Sequence, residues 1–346
     1  MSFNATPSFL HDDSTQAAIS AWSSPAFAVS ATLAPALVDE RGERHLRIAP
    51  KYGNGEVAVT VRYRWQGAAN APTLIVQGGI SAGRDVCGDG DGWWAELIGP
   101  GRAIDVAQFR ILSIDWLSTT DLGDARAVSS ADQADALAAL LDVLGIGRAA
   151  GFVGASYGAM VGLAFGERHA DRVAHLVVIS GAHRAHPLAT ALRSIQREIV
   201  RAGLRSGATG PALALARQIA MTTYRGADEF AQRFDAEAEF RDGRFRFAVE
   251  DYLCAAGEKF VARFDAQRYL SLSESIDLHR IDPAAVRVPA TVVAVSSDRL
   301  VPTLDLSTLA TATQAQYREI DSIYGHDAFL KEPALIGAIL REALCC

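Results

Sequence analysis

The sequence predicts an α/β protein built on a mainly parallel sheet. Three observations carry this reading. Short continuous apolar runs recur along the chain, helical patterns lie between them, and the strand rhythm stops near residue 183 and resumes at Thr291. Runs of this kind, apolar without alternation, suit strands buried on both faces, and their alternation with helices is the signature of a parallel sheet with crossovers.

In chain order, MSFNATPSFLHDDSTQAAISAW mixes Ser, Ala and Thr and lacks a basic stretch followed by an apolar one. Residues 1–30 are therefore expected to be without fixed structure and to carry no signal peptide. EVAVTVRYRW (56–65) alternates with period two and reads as an early antiparallel strand. TLIVQGG (73–79), FRILSIDWL (109–117), AAGFVGA (149–155), VAHLVVIS (173–180) and TVVAVSS (291–297) read as buried strands, and AQYREID (315–321) is a further strand candidate. SSADQADALAALLDVLG (129–145) is a capped helix with its leucines on one face, ended by Gly145. YGAMVGLAFGERHA (157–170) and ALIGAILREAL (334–344) are helices of the same layer architecture. Residues 183–287 carry Ala, Arg, Phe and Leu at helical spacing and no clear strand, which predicts a helical insertion acting as a lid over the carboxyl edge of the sheet. The expected organisation is a core of residues 31–182 and 288–346 interrupted by a lid of residues 183–287.

Composition removes several classes of function. The chain has 346 residues, 49% hydrophobic and 21% charged, with a net charge of −7 and no Lys/Arg run, so nucleic acid is not an expected partner. No run of about 18 apolar residues occurs, so no membrane span is expected. The four cysteines are Cys87, Cys254, Cys345 and Cys346. Their spacing fits no metal site, and the adjacent terminal pair is too close for an ordinary disulfide, which points to reduced thiols in the cytoplasm. No metal and no permanently bound cofactor are expected.

Two stretches match G-x-S-x-G: GISAG (79–83) and GASYG (154–158). The pattern alone is weak; a reactive serine also needs a strand before it and a helix after it, so that a tight turn lifts the hydroxyl above the strand ends. Ser156 has both flanks. Ser81 is followed by RDVCGDGDG, which does not propagate a helix, so GISAG reads as a loop after an earlier strand. In an α/β-hydrolase that loop supplies one backbone N–H of an oxyanion hole, here near Gly79 or Ile80, and the residue after the nucleophile, Tyr157, supplies the other. A serine needs a base and the base an orienting acid, in the chain order Ser, Asp/Glu, His. His326, in IYGHDAFL after the final strand, is where the base should hang. Asp298 immediately follows TVVAVSS and can reach the imidazole from the side; Asp305, further on in a helix, is the weaker alternative. His169 and His175 are expected at the surface, and His183 and His186 in a wall of the site.

These residues, with GWWAELIGPGRAIDVAQF (92–109), MTTYRG (221–226), FAVEDYLCAAGEKFVARFDAQRYLSLSESIDLHRID (247–282), SSDRLVP and YGHDAFLKEP, resemble the homoserine O-acyltransferases of methionine biosynthesis, an α/β-hydrolase family with a helical lid. The family elbow commonly reads G-G-S-M-G-G where this chain has Gly154-Ala155-Ser156-Tyr157-Gly158-Ala159, which marks a divergent branch. The resemblance implies a ping-pong reaction in which Ser156 takes an acetyl or succinyl group from acyl-CoA and passes it to homoserine, with His326 as base and Asp298 orienting it. It further implies that Arg217 and Tyr224 bind the carboxylate side of the amino acid and Asp327 its ammonium, and that the protein forms a homodimer through its lid helices. A succinyl donor requires a cation for its distal carboxylate, for which the lid offers several candidates, Arg184, Arg193 and Arg197 among them. A serine O-acyltransferase and an ester or thioester hydrolase use the same triad and remain open at this point.

Overall fold

The computed structural model describes residues 36–88 and 92–344. Residues 1–30, expected to be without fixed structure, and the Cys345–Cys346 pair lie outside the described residues. Among these, the main sheet has eight strands: β1 (Leu37–Ile48), β2 (Val57–Ala68), β3 (Thr73–Gln77), β4 (Arg110–Ile114), β5 (Gly151–Ala155), β6 (Leu176–Ile179), β7 (Ala290–Val295) and β8 (Gln316–Ile320). Their order is β1-β2-β4-β3-β5-β6-β7-β8. β2 runs antiparallel to both β1 and β4, and every other neighbouring pair is parallel.

The continuous apolar runs follow from two covered faces. Ile75, Leu112, Phe152 and Val178 face one core, which the leucines of α1 (Ser130–Val143) and the apolar stripe of α2 (Tyr157–Arg168) complete. Their neighbours Leu74, Ile111, Val153 and Val177 face the other, closed by Phe329, Ile336 and Leu340 from the C-terminal helices. With period two, β3, β4, β5, β6 and β7 each serve both cores, and full burial of one such side chain stabilises by about 1.5–3 kcal/mol. α1 starts as the sequence predicts. Ser129 and Asp132 form a capping box, Ser129 N–H donating to Asp132 Oδ2 at 2.7 Å, and Gly145 just past the end has φ +71°.

Residues 187–278 form five helices, α3 (Pro187–Ser206), α4 (Thr209–Tyr224), α5 (Ala227–Phe234), α6 (Ala248–Val261) and α7 (Ala266–Leu278). They have a small core of their own around Val200, Leu213, Phe260 and Tyr269. α7 ties them to the sheet: Ser271 Oγ accepts from Thr119 N–H at 2.7 Å, and Arg268 Nη2 donates to Trp116 O at 2.7 Å. α8 (Thr303–Thr313), α9 (Ala328–Lys331) and α10 (Pro333–Leu344) complete the chain.

Two elements escape the periodicity reading. β1 is a half-charged, mostly exposed edge strand, held by its ladder with β2 and anchored in the core at its end by Leu46 and Ile48. The insertion also contains a hairpin, Glu239–Arg241 paired with Arg244–Arg246, around Asp242 (φ +54°) and Gly243 (φ +78°). An Asp-Gly pair with both φ positive is a hairpin turn signal, hidden here by flanking charges.

Candidate active site

The site begins at the end of β5. Ser156 has φ +56° and ψ −119°, a conformation that a non-glycine residue adopts only when its surroundings force it. Those surroundings are glycines and short backbone bonds. A Cβ on Gly154 would lie 2.4 Å from Gly158 O, and a Cβ on Gly158 would lie 2.2 Å from Gln77 O. Ser156 N–H donates to Ile179 O at 2.9 Å, and Gly158 N–H donates to Gly78 O at 2.8 Å, which stitches the start of α2 to the loop after β3.

Asp298 follows β7 and His326 follows β8, so both hang over the same strand ends as Ser156. His326 Nδ1 lies 2.7 Å from Asp298 Oδ2, and His326 Nε2 lies 2.8 Å from Ser156 Oγ. Asp298 Oδ1 accepts from Leu300 N–H at 2.8 Å and Val301 N–H at 3.0 Å, which fixes the carboxylate. With Nδ1–H donating to Asp298, the Nε2 lone pair faces the serine hydroxyl, the arrangement that general-base activation requires. Burial by itself pushes the His326 imidazole down. The charge and hydrogen bond of Asp298, with the charge of Asp327, outweigh it and hold the group above its ordinary value. Asp305 sits in α8 and lines the same cavity without a hydrogen bond to His326.

Gly79 lies beside the serine: a Cβ there would come within 3.9 Å of Ser156 Oγ. Among the described residues, none accepts from the N–H of Gly79, Ile80 or Tyr157. All three residues line the Ser156 cavity. Two side chains unforeseen from sequence hold this loop and elbow in place. Trp116 Nε1–H donates to Gly79 O at 3.0 Å, and its ring packs edge-on to Tyr157 at 4.9 Å. The Tyr157 hydroxyl, fully buried, shares a 2.6 Å hydrogen bond with Ser275 Oγ of α7.

The cavity above Ser156 is about 1300 Å³ including its open mouth, and α3, α4 and α7 supply one wall. Arg217, Tyr224 and Asp327 all face it. The Arg217 guanidinium lies over the rings of Phe260 (4.9 Å) and Tyr224 (5.2 Å), and the Tyr224 ring is 5.9 Å from that of His326. No carboxylate among the described residues pairs with Arg217. Asp327 has a neighbour that sequence reasoning missed, Arg225, at 3.2 Å but not aligned as a hydrogen bond. Burial pushes Asp327 above the usual carboxylate range, and Arg225, His326 and Arg217 oppose that without cancelling it.

The three arginines considered for a donor carboxylate separate cleanly. Arg193 and Arg197 both bind Asp277, each at 2.6 Å, and Arg197 does not line the cavity. Arg184 lines it and has no carboxylate partner among the described residues. His186 is in the cavity wall and His183 is not. His169 and His175, expected at the surface, are only half-exposed and bond to Asp135 and Thr291. Among the described residues no cluster of side chains could hold a metal ion, and no helix is long and apolar enough to cross a membrane.

The chain matches the family model described as alpha/beta hydrolase fold over residues 72–333. It is 51% identical over 310 residues to a homoserine O-succinyltransferase of Xanthomonas campestris pv. campestris, covering 88% of this chain and 84% of that protein. It is 36% identical over 283 residues to a homoserine O-acetyltransferase of Thermus thermophilus, covering 73% of this chain and 72% of that one. A solved homoserine O-acetyltransferase of Bacillus anthracis superposes with a TM-score of 0.80 over 89% of this chain and 98% of its own, at 18% identity, a likeness of fold.

Proposed function

The chain belongs to the homoserine O-acyltransferase family of the α/β-hydrolase fold, and from that premise we propose that it moves an acyl group from acyl-CoA to the hydroxyl of L-homoserine by a ping-pong reaction through Ser156. Ser156 Oγ attacks the thioester carbonyl while its proton passes to His326 Nε2. The N–H groups of Gly79 or Ile80 and of Tyr157 receive the oxyanion; a donor so placed is worth about 10²–10³ in rate. The carbon–sulfur bond breaks, the proton goes from His326 to the departing thiolate, and an acyl-Ser156 remains. The homoserine hydroxyl then gives its proton to His326 as its oxygen attacks the ester. The bond to Ser156 Oγ breaks, and the serine regains the proton. No permanently bound cofactor enters this scheme.

The observation that carries transfer over hydrolysis is the pairing of unlike charges at the nucleophile. Arg217, free of carboxylate partners, and Asp327, next to His326, share one cavity. An α-amino acid presents the complementary carboxylate and ammonium. Tyr224 stands between Arg217 and His326 and shapes the acceptor's path, and α3, α4 and α7 serve as a lid that keeps water from the acyl-enzyme. For the acyl group we favour succinyl, because Arg184 is available in the cavity wall and the relative at 51% identity is a succinyltransferase. Homoserine is favoured over serine by the same relative, although one methylene is worth only about 1–3 kcal/mol of discrimination. The exposed Phe240, Phe245 and Phe247 of the insertion support a homodimer through this region. With an acyl-CoA donor we further propose that the reaction takes place in the cytoplasm.

The test is donor turnover with and without acceptor. Purified protein and succinyl-CoA should release CoA continuously only when homoserine is added, and Ser156→Ala should form no acyl-enzyme by intact mass. Equal release without an amino acid would make the protein a thioesterase, and faster turnover with acetyl-CoA would reverse the donor assignment.

A further inference from the structure

A second cavity, about 740 Å³ including its open mouth, lies on the other side of the oxyanion loop: Ile80, Ser81 and Ala82 line both it and the Ser156 cavity. Its remaining wall includes three arginines from two distant parts of the chain. Arg62 comes from β2, Arg263 from the α6–α7 connection and Arg268 from the first turn of α7, and Phe264 also lines the cleft with one face of its ring stacked on Phe260 at 4.9 Å. These cations have little to neutralise them. Among the described residues Arg263 and Arg268 pair with no carboxylate, and Arg62 reaches Glu43 only at 3.9 Å. The two acids in the wall are otherwise engaged. Asp115 accepts from Arg84 N–H at 3.0 Å and pairs with its guanidinium at 3.6 Å, while Asp121 accepts from Ser118 N–H and Oγ–H. In a chain of net charge −7, a cleft wall with three arginines against two acids, one of those acids paired with Arg84 outside the wall, is locally cationic.

We propose that this cleft docks the phosphate-bearing nucleotide end of the CoA thioester whose acyl group Ser156 receives. The inference rests on the acyl-CoA reading above and adds to it the place of the nucleotide. Guanidinium forks match phosphate oxygens in geometry and charge, and Phe264 offers an apolar face to a base. The flexible arm between nucleotide and thioester then crosses Ile80–Ala82, so the loop that offers the oxyanion donors also lies under the donor's chain.

The experiment compares succinyl-CoA with the succinyl thioester of N-acetylcysteamine, which has the same reacting group but neither phosphates nor base. Arg62→Ala/Arg263→Ala removes the two exposed cations and spares Arg268, which also holds Trp116 O. The ratio of kcat/KM for succinyl-CoA to that for the short thioester should fall about tenfold or more through KM, the scale of lost charge-assisted bonds. Adenosine 3′,5′-bisphosphate should inhibit the wild type competitively and the variant far less. An unchanged ratio, or equal loss on both thioesters, overturns the nucleotide site and leaves the acyl-CoA reading standing. Failure of the wild type to form acyl-Ser156 from any acyl-CoA overturns the donor reading, and the nucleotide site with it.

Discussion

Gly158→Ala should separate the two halves of the proposed oxyanion hole without touching Ser156, Asp298 or His326. The added Cβ would sit 2.2 Å from Gln77 O, 2.5 Å from Gln77 C and 2.9 Å from Gly78 O, whereas ordinary contact begins at 3.4 Å. The obstacle is backbone at the end of β3, paired to Gly154 of β5, so it cannot rotate aside as a side chain would. Relief requires the two backbones to part by about 1 Å in a close-packed interior. That movement stretches the 2.8 Å bond from Gly158 N–H to Gly78 O and carries the N–H groups of Gly79 and Ile80 away from that of Tyr157. A displacement of about 1 Å at a reacting centre costs about 10²-fold, and loss of one oxyanion donor about 10²–10³-fold. The rate of Ser156 acylation should therefore fall by about 10²–10³, in kcat rather than in homoserine KM, with about 1–3 kcal/mol of stability lost to overpacking. Rapid-quench measurement of the CoA burst reads the first quantity and a denaturant melt the second. Gly147→Ala, where an added Cβ meets nothing within 4 Å, is the control. Acylation within about threefold of wild type, or a defect confined to homoserine KM, would refute the argument that the elbow and the loop form one oxyanion site.

Asp298→Asn should keep the fold and lower kcat by about 10⁴, because an amide at this position favours the wrong imidazole tautomer; a loss below tenfold would remove Asp298 from the triad. The base must be neutral to act, and His326 is held above the ordinary imidazole value of about 6.5, so single-turnover acylation should fade as pH drops through a point above 6.5. Asp327→Asn removes one of the charges that raise His326 and should move that acid limb down; an upward shift would contradict the electrostatics. His279 has the opposite sign. Burial pushes it down to about 3, with Ser130 Oγ 2.7 Å from Nδ1 and Nε2–H donating to Ala182 O at 3.1 Å. The unfolded chain gains a proton near pH 6.5 that the native imidazole refuses, so stability falls by about 1.4 kcal/mol per pH unit below that point, about 2 kcal/mol by pH 5. His279→Gln should flatten that slope in denaturant titrations, and an unchanged slope would mean the native imidazole is protonated. Arg217→Ala should raise homoserine KM at least tenfold with the acylation burst retained, the reverse pattern excluding a carboxylate clamp.

The meeting of Ser156, Asp298 and His326 was legible because each follows a strand that ends at one edge of the sheet: Ser156 and Asp298 come just past apolar runs, and His326 lies in the loop after the largely polar β8. Ser156 and His326 are 170 positions apart, yet each follows a strand that pattern alone identifies, and parallel strands bring such ends to one edge. Arg217, Tyr224 and Asp327 came from family resemblance, and no periodicity could have placed them in one cavity. Periodicity fails where burial does not drive the structure, as in β1 and in the exposed Asp242–Gly243 hairpin. The choice among arginines was closed to sequence for another reason. Asp277 takes Arg193 and Arg197 only because α3 packs against α7, and nothing local in either segment announces that contact. Tyr157 is the sharpest omission. Its backbone was expected in the site, whereas its hydroxyl, reaching Ser275 of α7, depends on the insertion's position over the core.

That last hydrogen bond bears on how such a protein could be re-engineered or diversify. Exchanging the helical segment between relatives to change acceptor preference treats it as a cassette, but here the seam runs through Tyr157, the residue that follows Ser156. A donor segment with an apolar residue at the Ser275 position would strand the Tyr157 hydroxyl in a dry interior, at a cost of about 1–3 kcal/mol, beside the backbone that must stay still during acyl transfer. Positions 157 and 275 are therefore expected to change together or not at all, and a chimaera that carries both should outperform one that carries either.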